Sequence, residues 1–277
     1  MKILSKNDGG APPVAMTIAG SDPGGGAGFQ ADLKTFAAFR VHGFSVITAV
    51  IAQNSGVVDA IDPVAPRMIS RQIETLAAER RPDALKTGAL AGAAIVRAVA
   101  RAIVRCKLPA PVVDPVIVSS SGVRLLDLAG QRALTRSLLP LARIVTPNLH
   151  EAEALSGIEI DGPEAARAAA RAIYRMGPRA VLIKGGHPPR NSAPAAKLVD
   201  LFFDGRGFTE YAVRRIPGGG AHGTGCAFSA AIAAHLARGL ALDEAVRAAQ
   251  RYLARALRAA YRLSPACRPL LDHLVRS

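Results

Sequence analysis

The chain has no tryptophan, and only 4% of its residues are aromatic. Proteins that grip unpaired bases stack them on aromatic side chains, so this composition argues against nucleic acid as a partner. Cysteine is scarce too: three in 277 residues, at Cys106, Cys226 and Cys267. The number is odd and the spacing wide, which fits a reducing cytoplasm and offers no metal-knuckle pattern. No apolar run reaches the ~18 residues of a membrane span without a charge or a helix breaker. Met1 to Pro13 is polar, ends in GGAPP and lacks the apolar core of a signal peptide. It reads as a frayed tail before one domain over 14–277.

Acids are outnumbered, 21 against 35 basic residues, for a formal net charge of +14. The arginines are spread along helix after helix, as in Arg97, Arg101 and Arg105, or Arg167, Arg171 and Arg175. That is the pattern of solvated helix faces. The last helix carries the densest stripe, from Arg247 to Arg262, and leaves a nucleic-acid binder as the remote alternative.

Glycine and short apolar runs are what the chain has in quantity. Strands are expected at Val14–Ala19, Phe44–Ala52, Ala84–Ala89, Pro111–Val118, Arg143–Thr146 and Ala180–Lys184. Helical spacing fills the gaps: from the Gly20–Gly28 turn to about Arg40, then Pro66–Arg80, Ala93–Arg105, His150–Leu155, Pro163–Met176 and Asp243 to about Tyr261. Leu198–Phe203 and Phe208–Arg215 read as a hairpin around Asp204-Gly205-Arg206-Gly207. Strand and helix alternate, which predicts an α/β fold: three layers, αβα, with a mainly parallel sheet and ligands at the strand C-termini.

The candidate chemistry gathers at those ends. Ile216 to Gly239 reads IPGGGAHGTGCAFSAAIAAHLARG. A glycine loop feeds a helix there, so amides of Gly223, Thr224 and Gly225 converge with the positive end of the helix dipole on one anion site. Thr224 adds a hydroxyl. Cys226 falls near the first helical turn, where a thiolate is favoured. Gln53 ends a strand with a donor and an acceptor side by side. Asp114 is an acid inside an apolar run, costly unless paired or facing a metal. Asn148 and Glu151 have capping-box spacing, and Glu151 is also placed to help hold Mg²⁺ through water. Lys184, at a strand tip before two glycines, suits a phosphate. Ser119–Gly122 is a candidate lid. Asp22 reads as a cap and Asp32, on physics alone, as an ordinary exposed acid.

These stretches together resemble the hydroxymethylpyrimidine and phosphomethylpyrimidine kinases of thiamine biosynthesis, which have a ribokinase-like fold. The resemblance rests on AGSDPGGGAGFQADLKTF (19–36), VITAVIAQNS (46–55), KTGAL (86–90), VVDPVIVSSSG (112–122), TPNLHEAEAL (146–155), VLIKGGH (181–187) and HGTGCAFSAAIAA (222–234), in the family's order. It implies ATP and Mg²⁺ as cofactors, an aminopyrimidine alcohol or its phosphate as substrate, and a homodimer. It implies an anion hole at Gly223, Thr224 and Gly225, with Cys226 facing the substrate hydroxymethyl. Gln53 and Asp32 would bind the ring, in a pocket lined by Gly20 to Ala27 and by Ala89. Asn148, Lys184, His222 and Thr224 would meet the nucleotide, and Asp114 and Glu151 would organise the metal. The chain departs from the family at Ala89, where Met is common, at His150, which replaces a common Pro, and at Gly218–Ala221, which replaces a more polar approach. Ser119 takes the place of a lid Cys found in relatives that also use pyridoxal. That replacement weakens a dual pyridoxal activity; a pyridoxal or pyridoxine kinase is the alternative on the same scaffold.

Overall fold

A computed structural model describes residues 10–119, 121–185, 197–214 and 220–275. Residues 1–9 of the expected tail, Ser120 in the expected lid, Gly186, His187 and Gly218–Gly219 lie outside the described residues.

Val14–Ala19 (β1) is buried at every position, because it has a strand on each side and helices above and below. The eight-stranded sheet is built around it, with β1 pairing in parallel with both His42–Ile47 (β2) and Ala84–Thr87 (β5). Val112–Val113 (β6), Ile144–Val145 (β7) and Val181–Ile183 (β8) continue the parallel run. Lys197–Phe203 (β9) and Phe208–Arg214 (β10) form the expected hairpin and add an antiparallel edge beyond β8. The sheet order is β10-β9-β8-β7-β6-β5-β1-β2.

Two apolar layers sandwich the sheet. On one face lie Gly28–Ala38 (α1), Thr224–Ala237 (α7) and Leu242–Arg258 (α8), with Phe36, Phe39, Ile232 and Tyr252 among their buried side chains. On the other lie Pro66–Glu79 (α2), Ala93–Arg105 (α3), Leu128–Ala133 (α4), Leu149–Ser156 (α5) and Pro163–Tyr174 (α6). The three-layer αβα expectation holds. No helix among the described residues is long and apolar enough to cross a membrane.

The elements depart from expectation at three places. The single strand Phe44–Ala52 is two. At Thr48 the chain leaves the main sheet, with its amide on Ala19 O and its hydroxyl on Ala89 O (2.6 Å). Ala49–Gln53 (β3) then pairs antiparallel with Val58–Pro63 (β4) as a separate two-stranded ribbon. The turn between them is closed by Asn54 Oδ1, which accepts the Gly56 and Val57 amides. The strand Pro111–Val118 shrinks to β6, because Pro115 has no amide to donate and Val116 turns to φ 42°. The third departure is α4, unanticipated, which Asp127 caps by accepting the Gly130 amide; a π turn and a 3₁₀ turn carry it on to Leu141.

Candidate active site

Two glycine loops meet above the C-terminal edge of the sheet. The first joins β1 to α1, and Asp22 is its centre. Asp22 is fully buried and accepts the amides of Gly24, Gly26 and Ala27, the last at 2.6 Å. Its Oδ2 also lies 2.9 Å from His222 Nε2, at the start of the second loop. Burial pushes the carboxyl up, but His222 and the amides outweigh it and hold Asp22 below the usual carboxylate range. Asp22 thus does more than cap: it ties the loops together. His222, expected at the nucleotide, is buried on Asp22 and acts on the loop instead. Its amide is also fixed, donating to Pro269 O.

The contact between the loops requires glycine. Gly223 is the N-cap of α7 with φ 78°, and a Cβ there would fall on the carbonyl of Gly26. Gly28 has φ +59°, and its Cβ would lie 2.9 Å from the Asp22 amide. Past Gly223, the first turn of α7 presents amides that have no intrahelical partner. The Thr224 hydroxyl is used locally and donates to Ala221 O at 2.7 Å. Cys226, in the same turn, is partly exposed. Burial pushes the thiol up to about 11; Lys86 pulls against this, Asp32 and Asp114 add to it, and the Gly28 amide opposes. That direction is opposite to the expected lowering by the helix end.

The other side of the cradle sets one lysine between two acids. Lys184 follows β8 in a bridge with Asn148, and its Nζ lies 3.1 Å from Asp114 Oδ1. Gly225 presses α7 onto this pair: a Cβ there would sit 3.3 Å from Lys184 Nζ and 3.6 Å from Asp114 Oδ2. Burial disfavours the Lys184 charge, yet Asp114 and Glu151 more than offset it, so the ammonium is held above its usual range. Asn148 caps α5 by accepting the Glu151 amide at 2.9 Å. Glu151 returns the bond, with Oε2 on the Asn148 amide and Oε1 on the Ile117 amide. Burial raises the Glu151 carboxyl; Lys184 opposes this and Asp114 adds to it. Among the described residues no group of three or more His, Cys, Asp or Glu could hold a metal ion by itself. Two buried carboxylates beside a lysine do fit Mg²⁺, which keeps its waters and takes the rest of its shell from phosphate oxygens.

Across the cleft, Gln53 ends β3 and donates to Ser21 O at 3.2 Å. Gly20 packs beside Ala89, with 3.7 Å between a Cβ at Gly20 and that of Ala89, and Ala27 starts α1. Asp32 does not face this space. It is fully buried under α1, its Oδ2 taken by Lys86 Nζ (2.7 Å) and Thr17 Oγ1 (2.6 Å). Its place on the inner helical face, with Ala31, Thr35 and Phe36, removes it from ring contact. Ser119 closes the candidate lid on itself, its hydroxyl 2.9 Å from that of Ser121.

Sequence reasoning passed over two residues. Lys86 is a lysine inside a fully buried strand, the same anomaly that drew attention to Asp114. Asp200, in β9, accepts the Gly185 amide and Gln250 Nε2, each at 2.8 Å, and so anchors the segment after Lys184 to α8.

Amides seeking an anion, opposed by a lysine across a glycine and backed by two acids, suit phosphoryl transfer to a small molecule. Comparison with known proteins agrees. The family description that matches residues 22–270 is phosphomethylpyrimidine kinase. The hydroxymethylpyrimidine/phosphomethylpyrimidine kinase of Rhizobium meliloti is 47% identical over 90% of this chain and 92% of its own length. The chain spans only 49% of the thiamine biosynthesis bifunctional protein of Geobacter sulfurreducens, at 43% identity. Among solved structures, Bacillus subtilis pyridoxal kinase in an ADP complex aligns with TM-score 0.85 and 34% identity over 95% of this chain and 98% of that one. Phosphomethylpyrimidine kinase from Clostridium difficile aligns with TM-score 0.78 and 36% identity over 88% and 99%. The chain is a kinase, and it belongs to the phosphomethylpyrimidine kinase family.

Proposed function

We propose that this kinase transfers the γ-phosphoryl group of ATP to the hydroxymethyl oxygen of 4-amino-5-hydroxymethyl-2-methylpyrimidine, and then phosphorylates the monophosphate, in thiamine biosynthesis. The observation that carries the reading is the seam at Gly225, where the first turn of α7 meets Lys184 and Asp114. The alcohol oxygen attacks the γ-phosphorus, the bond to the ADP oxygen breaks, and the hydroxyl proton leaves late. Gly223, Thr224 and Gly225 amides stabilise the migrating group, and Lys184 neutralises the nucleotide phosphates. Asp114 and Glu151 would hold Mg²⁺, which would supply further charge neutralisation when bound. Cys226 receives the hydroxyl proton through its thiolate form. Gln53 orients the aminopyrimidine over Gly20, Ala27 and Ala89.

The test is turnover of ATP by the purified chain with hydroxymethylpyrimidine, its monophosphate and pyridoxal as separate acceptors. Both pyrimidines should be phosphorylated. Pyridoxal turned over tenfold faster than either would move the assignment to the pyridoxal kinases, whose fold aligns closely. Loss of the second step alone would confine the enzyme to the first.

Homodimerisation belongs to the same reading: the β3–β4 ribbon leaves Val50 58% and Val57 57% exposed on an unpaired edge structure. Light scattering at micromolar concentration should give twice the chain mass; a monomer would reject it. Three free cysteines suit a cytoplasmic enzyme.

A further inference from the structure

We propose that Leu270, in the segment that follows α8, is a positioning residue for the transfer: its side chain is the prop that holds the two glycine loops of the phosphoryl site in register. The proposal rests on the kinase reading above, which gives that segment no part.

A loop made of glycines cannot brace itself. Gly24, Gly25 and Gly26 carry no Cβ, so they offer little to pack, and each has more backbone freedom to lose than any other residue type. The Asp22 carboxylate takes the Gly24 and Gly26 amides, but the space that side chains would have filled needs an apolar occupant from elsewhere. Leu270 is that occupant. A Cβ on Gly26 would lie 2.7 Å from Leu270 Cδ2 and 2.8 Å from His222 Cδ2. Leu270 and His222 therefore close on Gly26 together, and Gly26 is the residue whose carbonyl a Cβ on Gly223 would strike.

Leu270 is itself fixed on both flanks. Its backbone is bridged in parallel to His222 and antiparallel to Tyr261. Its amide donates to Tyr261 O at 2.8 Å, and its carbonyl accepts the Tyr261 amide at 3.0 Å. On the other flank the Pro269 carbonyl accepts the His222 amide at 2.8 Å. One residue earlier, the Arg268 amide donates to Ser55 Oγ at 3.1 Å, in the turn of the β3–β4 ribbon. The segment is tied down again beyond Leu270. Leu271 is 2% exposed and packs in the layer of Phe36, Phe39 and Tyr252. His273 Nδ1 lies 3.2 Å from Thr35 Oγ1 and 3.1 Å from the Tyr252 hydroxyl. Leu270 is buried as well, at 8% exposed, yet among the described residues it joins neither apolar layer of the sheet. Two adjacent leucines thus divide the work: Leu271 belongs to the core under α1 and α8, and Leu270 belongs to the loops.

That division supplies the test. Hydrogen exchange read by mass spectrometry follows the peptides over residues 22–28 and 222–226 in the substrate-free protein. Beside it stand urea unfolding and kcat with whichever acceptor the parent enzyme uses. Leu270→Ala should speed exchange in both loop peptides by about tenfold and lower kcat by about tenfold, as expected when a positioning element loosens by part of an ångström. Leu271→Ala empties a deeper core site, so its urea midpoint should fall at least as far. Its loop exchange and kcat should nonetheless stay within about twofold of the parent, because the core opens separately from the loops. A segment that serves overall stability alone would make the two variants behave alike. Equal losses of kcat in both, or loop exchange or kcat within about twofold of the parent in Leu270→Ala, would overturn the proposal. If Leu270→Ala does not fold, Leu270→Val decides, since it withdraws the Cδ atoms and keeps a buried apolar body. It should speed loop exchange about threefold, and unchanged exchange would overturn the proposal. Exchange needs no acceptor, so it gives its answer even if neither pyrimidine proves to be a substrate.

Discussion

Gly223→Ala is the substitution for which the structure gives the sharpest expectation. Two penalties act at that position. The backbone has φ +78°, and an L-residue there costs about 1–2 kcal/mol. The new Cβ would also fall on the Gly26 carbonyl, 2.7 Å from its carbon and 3.0 Å from Ala27 Cα. Carbon contacts normally settle near ~3.5 Å, so the loops must part by on the order of 1 Å. Neither loop can yield alone. Gly26 and Ala27 are held by Asp22, and His222 is held by Asp22 and by Pro269. A shift of about 1 Å in a positioning element costs roughly 10²-fold in rate.

Gly239→Ala is the matched control. It has φ +87° and nothing within 4 Å of the Cβ, so it carries the conformational penalty without the collision. It lies beyond the far end of α7, a 14-residue helix about 21 Å long that separates it from Gly223. Urea unfolding should show a loss of about 1 kcal/mol in Gly239→Ala and about 2–4 kcal/mol in Gly223→Ala. ATP turnover with the pyrimidine alcohol should fall about 10²-fold in Gly223→Ala and stay within twofold in Gly239→Ala. A folded Gly223→Ala enzyme within threefold of the parent kcat/KM would refute the idea that this loop contact sets the phosphoryl site.

Cys226→Ala should lower kcat by ~10²–10⁴ if the sulfur takes the hydroxyl proton. Because burial places the thiol at about 11, the thiolate fraction, and kcat with it, should rise about tenfold per pH unit between about pH 7 and 9; a flat profile would exclude the thiolate. His235 is buried on Phe39 with neither ring nitrogen bonded among the described residues, and burial with Arg238, Arg251 and Arg255 lowers it to about 4. Its folded value is depressed, so the stability it preserves is complete above about pH 6.5 and is lost as pH falls toward 4. His235→Leu should shrink the urea-measured difference in stability between pH 7.5 and pH 5 by about 2 kcal/mol; an unchanged difference would place the acid sensitivity elsewhere.

Much of this was legible in the chain because buried parallel strands advertise themselves as unbroken apolar runs. The same property hid the break at Thr48: FSVITAVIA contains no glycine or proline, and only the tertiary acceptor Ala89 O turns the chain there. β4 was hidden because VDAIDP is half-exposed and charged, and it is a strand by virtue of its partner. At the site, glycine positions were readable because glycine freedom is local, whereas the environment of Cys226 is assembled from α1, β5 and the end of β6. A helix terminus alone therefore gave the wrong sign for its proton affinity. Asp32 was misjudged for a reason that periodicity could have corrected, since it shares the inner face with Ala31, Thr35 and Phe36.

The net charge of +14 is a property of the outer helix faces, not of the cleft. Inside, acid meets base in three contacts, each joining two different elements. Asp22–His222 links the glycine loop to the start of α7, Asp32–Lys86 links α1 to β5, and Asp114–Lys184 links the end of β6 to that of β8. Such contacts add little to stability once desolvation is counted. What they fix is relative position, and the first and third meet around the first turn of α7. A phosphate arriving there finds amides held in place by interlocking glycines and a lysine already drawn to the seam by Asp114. The cleft needs no excess positive charge of its own to hold that arrangement before the ligand binds. Backbone amides cannot be titrated away and buried pairs resist screening, so binding of the phosphates should depend less on salt than the basic exterior alone would suggest.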